Sequence, residues 1–311
     1  MARPVPGSWA RRALLACCLA MLLGGAGSNA QASSLRYCDA QPRLRAAQQD
    51  KLLRVSALIK AELDRSGARA ALIARSGLNL GLFGMRYSHA GLSLKASPDT
   101  PWAVRQLYFA CEEQQPRLFD QGMAAFLLGT DEPDLGFISV LILPPAAAAL
   151  LEPVALDKGQ ALQLLGSSYS ANAYAFSVRH QNCNQWLLEL LATAWSGARA
   201  ADADARTAAQ DWLKSAGYEA AVFQLPLRPL LWLTAFSPWL NRDDHPDEDL
   251  AQARFRVTMP ASIEAFVRAR QPGVERLEIC HTERQVVLHR GWEPMADGCV
   301  AGEGDEVVAL D

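Results

Sequence analysis

Residues 173–194 read AYAFSVRHQNCNQWLLELLATA, and this stretch decides the fold. Tyr174–Arg179 is a short β-prone run, followed by the polar cluster His180, Gln181, Asn182, Cys183 and Asn184. Leu187, Leu190, Leu191 and Ala194 then recur at helical spacing, which predicts an amphipathic helix with one apolar face, closed by Gly197. Asn182 is the expected N-cap, placing Cys183 in the first turn. Free backbone N–H groups and the positive end of the helix dipole favour a thiolate there. A cysteine so placed suits nucleophilic catalysis, and the N–H groups at Cys183 and Asn184 suit an oxyanion. The competing reading is a cysteine packed as a small hydrophobe, or half of a disulfide. Asn182, Asn184 and Gln185 set this thiol in polar surroundings, and apolar packing begins only at Trp186.

The N-terminus has the pattern of an export signal. Arg3, Arg11 and Arg12 precede the apolar run Ala13–Leu23, and Ala30–Gln31–Ala32 offers a small-x-small cleavage site. The apolar run is short for a membrane span, and no second long one follows, so no transmembrane span is expected in the mature chain. Cleavage after residue 32 would leave roughly 279 residues and shift the net charge from −3 to about −6. The expected location is periplasmic. No basic block is present, which argues against nucleic acid as a partner.

Cys17 and Cys18 would leave with the signal. Cys38, Cys111, Cys183, Cys280 and Cys299 remain, an odd number in an oxidising compartment. The simplest arithmetic pairs Cys280 with Cys299 and Cys38 with Cys111, and leaves Cys183 free.

A helix is expected over residues 43–66 and a strand over Ala70–Arg75. Met85–Lys95 (MRYSHAGLSLK) alternates with period two. Ala90, Leu92 and Leu94 share one face; Tyr87, His89, Gly91 and Ser93 share the other. His89 thus stands on the more polar face of a strand, and Gly91 would let a helix end approach closely. Ala103–Phe109 is the expected antiparallel partner, with Gln106 and Tyr108 able to orient an imidazole, and Asp120 as an alternative. Phe137–Leu143 is expected as a central buried strand. A helical stretch over residues 146–165 is expected to break at Pro153. Beyond the cysteine helix come a helix at 203–215, a strand at 219–225, a helix at 262–270, a hairpin from 276–280 and 286–290, and a frayed acidic tail after Cys299. Pro226–Leu240 (PLRPLLWLTAFSPWL) is greasy and proline-broken, either core-covering or a lid. Asp243–Asp249 (DDHPDED) contains metal-ligand residue types, but its spacing fits a helix start better, so no metal is assigned.

A strand carrying Tyr87–Leu92 (YSHAGL) and a later helix opening Asn182–Cys183–Asn184 resembles circularly permuted papain-like, NlpC-related hydrolases. There the histidine comes first, on a strand, and the cysteine later, at a helix N-terminus. The resemblance implies Cys183 as nucleophile, His89 as general base and Gln106, or else Tyr108, orienting the ring. Asn182 and Asn184 would serve the cap and oxyanion site, and Tyr87 and Trp186 would line the substrate. Over its whole length the chain also resembles an exported proteobacterial domain-of-unknown-function family, number 2145, through the signal, the Tyr-Ser-His-Ala-Gly strand, the Gln-Asn-x-Asn-Gln-Trp helix start and the Asp-Asp-His-Pro stretch.

The expected fold is α+β and permuted papain-like. A mainly antiparallel sheet packs against the Cys183 helix, in a core over 33–225 after a signal over 1–32, with a C-terminal helix and hairpin extension over 226–311. The expected function is a thiol amidohydrolase or acyltransferase without cofactor, acting on cell-wall peptides or lipid acyl groups. The rival is a non-catalytic periplasmic binding or assembly protein on the same scaffold.

Overall fold

The computed structural model describes residues 44–110, 112–130, 132–197, 204–237 and 239–310. The expected signal segment, Cys38 and Cys111 lie outside the described residues.

Helix α1 (Ala46–Arg65) buries Leu52, Val55, Ile59 and Leu63, a stripe at helical spacing. Strands β1 (Ala70–Arg75), β2 (His89–Leu94), β3 (Ala103–Ala110) and β4 (Gln115–Gln121) follow as successive antiparallel neighbours. After α2 (Met123–Leu128), strand β5 (Gly136–Ile142) returns to the other side of β1. Helices α3 (Pro145–Leu156) and α4 (Lys158–Gln163) lead to α5 (Cys183–Ser196) and α6 (Ala205–Ser215). A small hairpin of β6 (Ala221–Gln224) and β7 (Arg254–Val257) frames a 3₁₀ segment at Arg228–Phe236 and helix α7 (Asp247–Ala251). Helix α8 (Pro260–Arg270) then precedes β8 (Glu275–His281), β9 (Gln285–Arg290) and β10 (Glu306–Ala309). The main sheet runs β10-β9-β8-β5-β1-β2-β3-β4.

The sheet is apolar on both faces because helices cover both. Ala70, Leu72, Leu92, Leu94 and Leu141 pack on the α3 and α5 side with Trp186, Leu187, Leu190 and Leu191. Ala71, Ile73, Val104, Val140 and Ile279 pack on the other side with α1 and α2. The expectation of a buried central strand holds for β5, fourth in the order. This is a mixed α+β fold with an antiparallel sheet, and no helix among the described residues is long and apolar enough to cross a membrane.

Several expectations are corrected. Residues 174–179 form no strand, because side chains take their backbone groups: Asp244 accepts from the Tyr174 N–H at 2.9 Å and Gln185 donates to the Ser177 carbonyl at 2.9 Å. The helical stretch breaks at Asp157, not Pro153, because Asp157 caps the next helix through the Gln160 N–H. The tail is no frayed end. Residues 306–309 extend the sheet by pairing with Gln285–Leu288, while Val308 and Leu310 pack on the α1-side core. The segment expected as a C-terminal extension supplies three of eight strands, since β8 pairs directly with β5. The Cys280–Cys299 disulfide is present and ties β8 to the loop before β10.

Candidate active site

Strands β2 and β3 pair only from Leu92–Leu94 to Ala103–Arg105, whereas β3 stays paired with β4 as far as Ala110. The first residues of β2 are therefore left without a β3 partner, and the N-terminus of α5 enters there. Asn184 replaces the missing strand: its Oδ1 accepts from the Ala90 N–H at 3.0 Å and its Nδ2 donates to the Ser88 carbonyl at 3.2 Å. These two bonds grip the backbone on either side of His89. Gly91 has a different role from the expected one. A Cβ there would lie 2.5 Å from Val104 Cγ1 and 3.0 Å from the Arg105 carbonyl, so glycine admits β3 rather than a helix end.

Asn182 is the N-cap, accepting from the Gln185 N–H at 2.7 Å, and its amide donates to the Thr258 carbonyl at 3.1 Å. Both asparagine side chains are thus committed to holding α5. Neither side-chain amide is free to donate into the cavity. The backbone N–H groups of Cys183 and Asn184 are directed at the Cys183 sulfur, as is the Tyr169 side chain.

The His89 ring is fixed from two directions. Its Nε2 lies 2.6 Å from Gln106 Oε1, while Gln106 Nε2 donates to Gln121 Oε1 at 2.7 Å. That orientation makes Nε2 the protonated nitrogen and leaves Nδ1 with a lone pair. The ring also stacks on Tyr108 at 4.5 Å. Burial, assisted by the positive charge of Arg75 and opposed by the Gln106 bond, pushes the imidazole down to about 3. Cys183, a free thiol, is half-buried. Burial pushes it up to about 11, against the backbone N–H groups and Arg75, which pull it down. Burial thus works against the charged form of both groups and opposes the helix N-terminus, which favours a thiolate. No hydrogen bond joins His89 to Cys183 among the described residues.

Cys183, His89 and Asn184 line one cavity of about 400 Å³. Gln106 stands behind His89 and Asn182 behind the helix start. Tyr87 and Trp186, expected to line the substrate, are instead in the core. The Tyr87 hydroxyl is bonded to buried Glu278, and Trp186 is fully buried with its indole N–H on the Ala161 carbonyl at 3.1 Å. Asp120 is taken by Arg105 in a two-pronged pair at 2.6 Å. The cavity walls come from segments with no expected site role: Leu80, Phe83, Phe223, Phe255, Val257 and Met259 make them largely apolar. Pro226–Leu240 contributes Leu230, Thr234 and Leu240 to the same wall. Arg75 and Tyr169 were also missed. The one available signal was an arginine ending the otherwise apolar strand AALIAR.

The acidic segment forms a second cluster. His180, Asp243 and Asp244 each place a ligand-type atom within 4.8 Å of the others. His180 is held between Ser168 Oγ at 2.8 Å and Asp243 at 2.7 Å, and Arg179 pairs with Asp243 at 2.5 Å. A protein cation already occupies that carboxylate, and the cluster fastens the loop before α5 to residues 241–245.

Together these features define an α+β protein whose apolar cavity has a cysteine and a histidine in its wall. The chain belongs to the family described as "Uncharacterized protein conserved in bacteria (DUF2145)", which matches residues 62–267. Neither the curated proteins nor the solved structures contain a significant match.

Proposed function

We propose that this chain is an exported thiol acyl-transfer enzyme, a hydrolase or acyltransferase of permuted papain-like arrangement, with Cys183 as nucleophile and His89 as base. The observation that carries the proposal is the Asn184 clamp. It seats the helix that begins with Cys183 against the strand residue His89, with both opening into one cavity. His89 Nδ1 takes the Sγ proton as sulfur attacks the acyl carbonyl, and the backbone N–H groups at the start of α5 receive the oxyanion. Collapse returns that proton to the leaving amine or alcohol and leaves a thioester on Cys183. Water or an acceptor hydroxyl, deprotonated by His89, then releases the acyl group and restores the thiol. Gln106 is a positioning residue that keeps Nδ1 toward the cavity. The apolar walls favour an acyl chain over a charged cell-wall peptide. Export through residues 1–32 puts this chemistry in the periplasm.

The non-catalytic binding reading is favoured by one observation, the neutral pair in which burial disfavours both the thiolate and the imidazolium. The two separate on p-nitrophenyl esters of increasing chain length, with mass spectrometry of the quenched protein. The enzyme reading expects an acyl adduct on Cys183, loss of turnover in Cys183→Ser and His89→Ala, and melting temperatures within a degree or two of wild type. Wild-type hydrolysis indistinguishable from Cys183→Ser, with no adduct, would sink it.

A further inference from the structure

The cavity also contains a positive charge to which the described residues supply no negative partner. Arg75 ends β1 directly opposite His89 in the β1–β2 ladder and is 5% exposed. Among the described residues no carboxylate pairs with it. Its Nη2 donates to the Tyr108 hydroxyl at 2.5 Å, its Nη1 has only a long 3.4 Å contact to the Ser76 carbonyl, and its Nε is buried without a partner. The guanidinium lies near the Phe126 ring, 5.4 Å from its centroid. A buried cation left in that state is costly, and proteins ordinarily supply a carboxylate to offset it.

The surroundings keep the guanidinium bare. A Cβ on Gly77 would lie 2.7 Å from Nη1, and one on Gly129 would lie 2.7 Å from Nη2. Arg75, Gly77 and Gly129 all line the cavity. Side chains at either glycine would cover the charge, and their absence leaves it facing the same space as Cys183 and His89. The wall formed by Leu78, Phe83, Phe223 and Phe255 suits a hydrocarbon chain.

We infer that this cavity binds an amphipathic monoanion, a carboxylate on a hydrocarbon chain, with the carboxylate on Arg75 and the chain along the Phe83, Phe223 and Phe255 wall. A single guanidinium beside a neutral imidazole balances one negative charge, which favours a carboxylate over a dianionic phosphate. The inference rests on the proposed reading only in taking this cavity as the substrate pocket, where a fatty-acid-like carboxylate would be product or acyl donor. Binding itself requires no thiol chemistry.

The test is calorimetric titration of the full chain with tetradecanoate, tetradecanol and acetate. Wild type is expected to bind tetradecanoate at least tenfold tighter than tetradecanol, with acetate undetected. Arg75→Met should lose tenfold or more for tetradecanoate but not for tetradecanol, and Arg75→Lys should restore part of the loss. Equal affinity for acid and alcohol in wild type, or no binding of tetradecanoate, overturns the inference without any variant. Measurable acetate binding would mean a small-anion site and would overturn it as well. Binding as expected without any Cys183 adduct would remove the catalytic reading and leave this one standing.

Discussion

Asn184 grips the strand of His89 through both atoms of its amide, accepting from the Ala90 N–H at 3.0 Å and donating to the Ser88 carbonyl at 3.2 Å. The residue after the thiol therefore fixes the backbone on both sides of the imidazole. Asn184→Ala would leave two strand groups unpaired, at about 1–3 kcal/mol each when buried. We expect it to lower stability by roughly 2–4 kcal/mol in urea unfolding. Asn184→Asp, which keeps the acceptor for Ala90 but loses the donor to Ser88, should fall between the two. Stability unchanged in both variants would show that the clamp does not hold the helix to the strand.

Cys183 should react as a buried neutral thiol. With burial pushing it up to about 11, iodoacetamide alkylation in non-denaturing buffer should keep rising through pH 8 and 9 rather than level off near neutrality. A plateau below pH 7 would mean that a thiolate persists at rest.

The Gln106 bond offers a way to reset the histidine. Gln106 Oε1 lies 2.6 Å from Nε2 as a neutral acceptor. Gln106→Glu would put a carboxylate there and raise the imidazole toward and above its ordinary value. Alkylation of Cys183 at pH 7 should then increase severalfold, whereas Gln106→Leu should not increase it. Histidine titration followed by NMR gives an independent readout of the same shift.

Stability should fall in mild acid. Burial holds His89 down to about 3 and His281 down to about 4, both below an ordinary 6.5. Below pH 6.5 the unfolded chain gains protons that the folded chain refuses, so stability is lost as pH falls from 6.5 toward 3 or 4. At pH 5 each histidine contributes about 2 kcal/mol of that loss relative to pH 8. Urea midpoints across pH 8 to 5 should decline, and the decline should shrink by about one proton's share in His281→Leu. An identical slope in that variant would exclude His281 as a source.

Local pattern was enough for much of the molecule. The leucine spacing after Cys183, the Asn182 cap and the Gly197 stop give α5 within its observed bounds, because each depends on neighbours one or two turns away. The alternation through His89 and the apolar runs at 70–75 and 137–143 mark strands for the same reason, since burial is written into the sequence pattern itself. The spacing of Cys280 and Cys299 also suited a closed loop. Tertiary structure alone decided the rest. Where β2 and β3 part, which residue fills the opening, and that Arg75 stands across from His89 all depend on strand register between distant segments. The β-prone run at 174–179 stayed a loop because Asp244, Gln185 and Arg206 claimed its backbone. The charge state of the pair was decided last, because desolvation sums over every segment that surrounds it. Burial opposes the thiolate that a helix N-terminus would favour in water, and Phe223, Phe255, Val257 and Met259 wall the site.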